Sequence, residues 1–124
     1  MSTVALTATD FERTVNENDI VLVDFWASWC GSCRMFAPVY EKVSEAHSDI
    51  VFGKVDTEAE QALAAAADVT SIPTPMAFRE GVLVFAQPGA LPAQALEQVI
   101  DAVRGLDMEE VHASVAAQQS GDEG

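Results

Sequence analysis

Ile20-Val21-Leu22-Val23-Asp24-Phe25-Trp26-Ala27-Ser28-Trp29-Cys30-Gly31-Ser32-Cys33 joins a near-continuous apolar run to a pair of cysteines. The run ending at Trp26 has the length and uniform apolarity of a central strand covered on both faces. Its one acid is Asp24. The two cysteines are the only ones in the chain. From Ser32 the pattern turns helical, with Phe36, Val39, Tyr40 and Val43 at i, i+3, i+4 and i+7. Pro38 falls inside that pattern and should kink the helix. A strand that delivers Cys-x-x-Cys to the start of a helix is the sequence form of a dithiol–disulfide redox site.

Two cysteines three residues apart on a first helical turn can bring their Cα atoms within the roughly 4.4–6.8 Å that a disulfide tolerates. Their sulfurs are not equivalent. Cys30 sits at the helix N-terminus, where unpaired backbone N–H groups and the positive end of the dipole stabilise a thiolate. Cys33 lies inside the helix and should be more buried. Cys30 is therefore expected to attack and Cys33 to resolve the mixed disulfide. A structural zinc site would need four ligands. His47 and His112, the only histidines, lack ligand spacing with the cysteines and read as surface residues, so no metal is expected.

Outward from this centre, Thr3 to Leu6 suggests a short first strand. Thr9-Asp10-Phe11-Glu12 has the form of a capping box opening a helix, and Asn16 to Asp19 that of a turn. Ile50 to Val55 reads as a strand. Thr57-Glu58-Ala59-Glu60 repeats the box ahead of an alanine-rich helix through Ala67. Ser71-Ile72-Pro73-Thr74-Pro75 interrupts regular structure, and Pro75 should limit pairing at the start of the strand that follows. Met76–Arg79 and Val82–Gln87 form a predicted hairpin across Glu80-Gly81. Pro92 opens a last core helix marked by Leu96, Val99, Ile100 and Val103. The order β-α-β-α-β-α-β-β-α indicates an α/β sandwich with a mixed sheet. The segment 107–124 reads as an acidic extension, helix-permissive over Met108–Gln118 and disordered from Ser120.

At 124 residues the chain is long enough for one self-sufficient core. No stretch approaches the roughly 20 apolar residues of a membrane span. Met1 to Leu6 has neither a basic region nor a long apolar core, so a cytoplasmic location is expected. In a reducing compartment a lone Cys-x-x-Cys points to catalysis or metal binding rather than to a structural staple. The net charge is −14, with Arg13, Arg34, Lys42, Lys54, Arg79 and Arg104 as the whole basic set. Such a surface disfavours nucleic acid and anionic membranes. It fits a solubility effect, adaptation to high salt, or steering toward a basic patch on a partner.

Residues 3 to 106 resemble the thioredoxin family, in its bacterial form. The resemblance rests on Val23 through Cys33, on Ala37-Pro38, on Lys54-Val55-Asp56, on Ser71-Ile72-Pro73-Thr74 and on Gly89-Ala90. It implies the thioredoxin fold, a central mixed sheet flanked by helices, over 1–106. It also implies a thiol–disulfide oxidoreductase that reduces client proteins through the Cys30/Cys33 dithiol. Asp24 matches the family's buried proton-transfer aspartate, and its desolvation in an apolar strand should raise its pKa. Lys54 matches the lysine that approaches it. Pro73 matches the family's cis-proline, which would present the backbone of Ile72 to an extended substrate. Trp29, Gly31, Ser32, Ile72, Pro73 and Gly89 would form the client-contacting rim, with Trp26 packed beneath it. The implied partners are disulfide-bearing clients and a flavin-dependent thioredoxin reductase drawing on NADPH. The chain would hold no cofactor and act as a monomer.

Three departures bear on the details. The family usually has proline where this chain has Ser32. Serine restores an N–H and adds a hydroxyl near the Cys30 sulfur, which should favour the reduced thiolate. A potential less negative than thioredoxin's roughly −270 mV is expected. Ser71 replaces a common glycine and Pro88 a common β-branched residue, both beside the expected client groove. Two other functions share the fold: an oxidase or isomerase with a less reducing potential, and a client-binding module without turnover.

Overall fold

The computed structural model describes the backbone of residues 3–122 and the side chains of 3–118. Five strands form one sheet: β1 (Thr3–Ala5), β2 (Ile20–Trp26), β3 (Val51–Asp56), β4 (Thr74–Arg79) and β5 (Val82–Ala86). They lie in the order β1-β3-β2-β4-β5, with β1, β3 and β2 parallel and the β4–β5 hairpin antiparallel. Five helices accompany them: α1 (Phe11–Glu17), α2 (Gly31–Glu45), α3 (Gln61–Ala66), α4 (Ala93–Arg104) and α5 (Met108–Asp122). The expected alternation and closing hairpin are both present.

Central placement explains the composition of β2. Ile20 and Leu22 face one core with Phe36, Tyr40, Val43, Phe52, Leu96 and Ile100. Val21, Val23 and Phe25 face another with Leu6, Val15, Val55 and Met76. A strand buried on both sides needs apolar residues at both parities. The alternation puts Asp24 on the α2 side, in sequence with Ile20 and Leu22.

The helix starts differ from the expected capping boxes. Asp10 Oδ1 accepts from the backbone N–H of Thr7 at 2.7 Å, so the reciprocal bond forms from Thr7 to Asp10. At the turn before α3, Asp56 Oδ1 accepts from the N–H groups of Glu58 and Ala59. The Thr57 hydroxyl instead donates to the Trp26 carbonyl at 3.0 Å, tying this turn to the end of β2. A tertiary acceptor has displaced the local cap. Helix α2 is continuous across Pro38.

The hairpin turn has Glu80 at φ 50° and Gly81 at φ 81°, the left-handed pair that matches strand twist. The β4–β5 ladder begins at Met76–Ala86, one residue after Pro75, and a bulge leaves Val84 unpaired.

Arg79, at the end of β4, closes the C-terminus of α4. Its Nη1 donates to the carbonyls of Val103 at 2.7 Å, Arg104 at 3.0 Å and Leu106 at 3.1 Å. The Val103 carbonyl also accepts from the N–H of Leu106 at 3.4 Å, so Arg79 reinforces the closing turn there and adds a charged donor for the carbonyls of Arg104 and Leu106. Arg79→Ala should lower unfolding free energy by about 1–3 kcal/mol, because these carbonyls lose a charged donor. Denaturant titration checks this, and an unchanged midpoint would refute the capping role.

His47 is not the surface residue that the sequence suggests. Its side chain is 16% exposed, pairs with Glu97 on α4, and receives a contact from Arg104, which also bridges Asp49. His112 remains half exposed and pairs with Glu80. Helix α5 runs from Met108 through Ser120 to Asp122; Glu123 and Gly124 lie outside the described residues.

Candidate functional site

Cys30 is the N-cap of α2, in extended backbone at φ −86° and ψ 115°. Its sulfur accepts from the N–H of Cys33 at 3.2 Å, as a capping oxygen would. Cys30 and Cys33 form a disulfide with Cα atoms 5.2 Å apart. Both residues are buried, Cys30 at 7% exposure and Cys33 at 3%. The N–H of Cys33 and the positive end of the dipole of this 15-residue helix lie at the Cys30 sulfur, which favours its thiolate once the bond is reduced.

The Ile72–Pro73 peptide bond is cis, as the resemblance implies. The Ile72 carbonyl lies 3.6 Å from Cys30 Sγ. Pro73 is fully buried. Its carbonyl accepts from Gly89 N–H at 2.8 Å, which joins the loop after β5 to the site. Gly89 has φ 116°, a conformation that a side chain would strain. Thr74 fixes the turn before β4 through a hydroxyl bond to the Ser71 carbonyl.

Beside the disulfide Trp29 is 65% exposed, while Trp26 is half-buried under the site. Gly31 and Ser32 are exposed on the first turn of α2. Trp29, Thr57, Ser71 and Ile72 line a shallow groove of about 180 Å³. On the Cys33 side, Trp26, Arg34, Ala37 and Lys54 line a smaller cavity of about 100 Å³. Arg34 closes it by donating to the Ser28 carbonyl at 3.3 Å.

Asp24 is fully buried, and neither carboxyl oxygen has a hydrogen-bond partner among the described residues. Desolvation pushes its pKa up to about 6, against the opposing field of Lys54. Lys54 is the register partner of Asp24 on β3. Its ammonium lies over the Trp26 ring, 5.1 Å from the centroid. The lysine therefore acts on the carboxyl through space while resting on an aromatic face.

Tyr40 belongs to the same region, although the sequence pattern assigns it only to the core. Its hydroxyl donates to the Gly53 carbonyl at 2.8 Å, and burial together with the Asp24 charge pushes its pKa up. Its place in the apolar stripe of α2 gives no sign of this neighbour. Strand pairing across three segments produces the adjacency.

The thioredoxin family model matches residues 2–102. A Streptomyces coelicolor protein bearing a thioredoxin name is 60% identical over 119 residues, covering 96% of this chain and 89% of that one. Thioredoxin 1 of Synechococcus elongatus is 42% identical over 99 residues, covering 78% of this chain and 92% of its own. Among solved structures, a mutant thioredoxin from Halobacterium salinarum superposes with a TM-score of 0.76 at 35% identity. That superposition covers 84% of this chain and 91% of the other.

Proposed function

Because the chain belongs to the thioredoxin family and is a thiol–disulfide oxidoreductase, we propose that Cys30 attacks client disulfides and Cys33 releases the product. The observation that supports this most directly is the bond itself. The two sulfurs close a ring across the first turn of α2, with Cys30 as the N-cap of the helix.

The Cys30 thiolate attacks one sulfur of the client disulfide, forming a mixed disulfide and expelling the other client sulfur as a thiolate. Asp24, ionised at neutral pH, takes the proton of Cys33. The resulting Cys33 thiolate attacks Cys30 Sγ, which closes the intramolecular bond and releases the second client thiolate. Two electrons pass to the client. The proton held by Asp24 then passes to the departing client thiolate or to solvent. Lys54 keeps the pKa of Asp24 from rising further.

The clients are proteins that carry disulfides. Their extended segments lie against Trp29, Ile72, Pro73 and Gly89, with Gly31 and Ser32 leaving room at the first turn of α2. A flavin-dependent reductase drawing on NADPH restores the dithiol, and the chain works in the cytoplasm, where thiols are kept reduced. No helix among the described residues is long and apolar enough to cross a membrane. The thioredoxin unit spans 1–106, with 107–124 as its extension. The test is NADPH consumption in a mixture of a bacterial thioredoxin reductase, this chain and a disulfide-bonded client. Consumption that depends on the chain is expected; none would refute the reductase reading.

Ser32 sets the poise. It is exposed at the second position of α2, where a backbone N–H lacks an intrahelical acceptor. Proline there would remove that donor. Ser32→Pro should therefore move the potential toward more negative values by on the order of 30 mV, a tenfold change in equilibrium constant. Equilibration with glutathione measures both proteins, and the unsubstituted chain should lie above roughly −270 mV. A shift in the opposite direction would remove Ser32 from this role.

A further inference from the structure

Strand β5 pairs with β4 on one side only, so its other edge is open within the sheet. Helix α5 runs beside that edge. A groove of about 480 Å³ separates them, lined by Val82, Leu83 and Val84 on the strand and Glu110, Val111 and Val115 on the helix. Leu83 also lines a groove against Phe11 and Val15, whereas Val84 packs on the core beneath α4. These residues therefore belong to opposite faces of the sheet. A groove that touches both must follow the edge itself.

The helix is held at this distance from both directions. Asp107 Oδ1 caps its first turn through the N–H groups of Glu109 and Glu110. Met108 is buried, and His112 pairs with Glu80 at the hairpin turn. The groove's charged lining is Asp107 and Glu110, and no lysine or arginine lines it. Of the cations nearest in the fold, Arg79 is bound to three carbonyls and Arg104 to Asp49.

We propose that the channel between α5 and the open edge of β5 is a docking site for an extended basic segment of a partner protein, added as a sixth strand. The edge supplies unpaired backbone groups for the ladder. Val111 and Val115 receive alternate apolar side chains, and Glu110 faces the lysines or arginines between them. A chain carrying −14 attracts such a segment from a distance and repels an acidic one. A second copy of this chain brings the same charge and is disfavoured. The site lies apart from the disulfide and is independent of the redox reading.

The probes are the peptides Lys-Val-Lys-Val-Lys and Glu-Val-Glu-Val-Glu, blocked at both ends and titrated into the full chain. The basic peptide should bind at least about tenfold tighter, and added salt should weaken it. It should also slow amide hydrogen exchange across Val82–Ala86. Glu110→Lys should weaken binding severalfold, while Glu45→Lys, exposed at the end of α2, makes the same charge change away from the groove and should have less effect. Val115→Trp should fill the channel and abolish protection of β5. If it disturbs folding, the Glu110→Lys and Glu45→Lys pair decides alone. Equal loss from both reversals would mean general charge attraction and overturn the site. So would failure of the basic peptide to bind, equal binding of the acidic one, or an edge occupied by a second copy in sedimentation.

Discussion

Cys33→Ser should arrest the protein on its client. Cys30 keeps its place at the N-terminus of α2, with the backbone N–H of residue 33 still directed at its sulfur. It can therefore attack and form the mixed disulfide. The second thiolate is missing, so the intermediate cannot close the 30–33 ring and decays only through external thiols. Turnover should fall to the background rate of thiol exchange, while one client accumulates per chain as a covalent adduct. Non-reducing electrophoresis and mass spectrometry of the trapped species measure this. Cys30→Ser should lose turnover without trapping. Adducts on Cys33 in that variant would invert the assigned roles.

Asp24→Asn should stabilise the protein and slow it. Burial desolvates the carboxyl and pushes its pKa up to about 6 from an ordinary 3.8, against the lowering field of Lys54. For an acid whose folded pKa is raised, the native state binds the proton more tightly than the unfolded chain. Above about pH 6 the group is ionised in both states, and burying its charge costs on the order of 3 kcal/mol. That cost diminishes as pH falls toward 3.8 and is absent below it. The stability gain of Asp24→Asn should therefore be largest at about pH 7–8 and shrink toward about pH 4. Denaturant unfolding of the oxidised forms at the two ends of that range tests the sign. An equal gain at both would show that the buried charge is not its source. Client reduction at neutral pH should fall by roughly tenfold to a hundredfold, because Cys33 loses its base.

Both expectations rest on β2 and the turn that follows it, the part of the chain whose sequence is most legible. A strand apolar at both parities has to lie between two layers, and its end has to present the cysteines at the start of α2. Period and spacing are sufficient there because those residues act on near neighbours. Tyr40 and Thr57 are less legible. Each bonds to a strand distant in sequence, Tyr40 to Gly53 and Thr57 to Trp26, and neither partner carries a local signal. The capping boxes moved for the same reason. His47 became partly buried because α4 brought Glu97 and Arg104 to it.

The reaction class, the order of the elements and the place of Cys30 at a helix start are written in the chain. These follow from short-range facts: the period of apolar residues, a three-residue separation and a helix start. The surroundings of the reacting groups arise from packing. It left Asp24 without a hydrogen-bond partner among the described residues, set Lys54 on the Trp26 ring, and brought the Ile72 carbonyl to the Cys30 sulfur. It also opened a channel beside β5 that composition had not marked. Desolvation and through-space charge depend on which segments pack together, and that information lies in no single stretch of the chain.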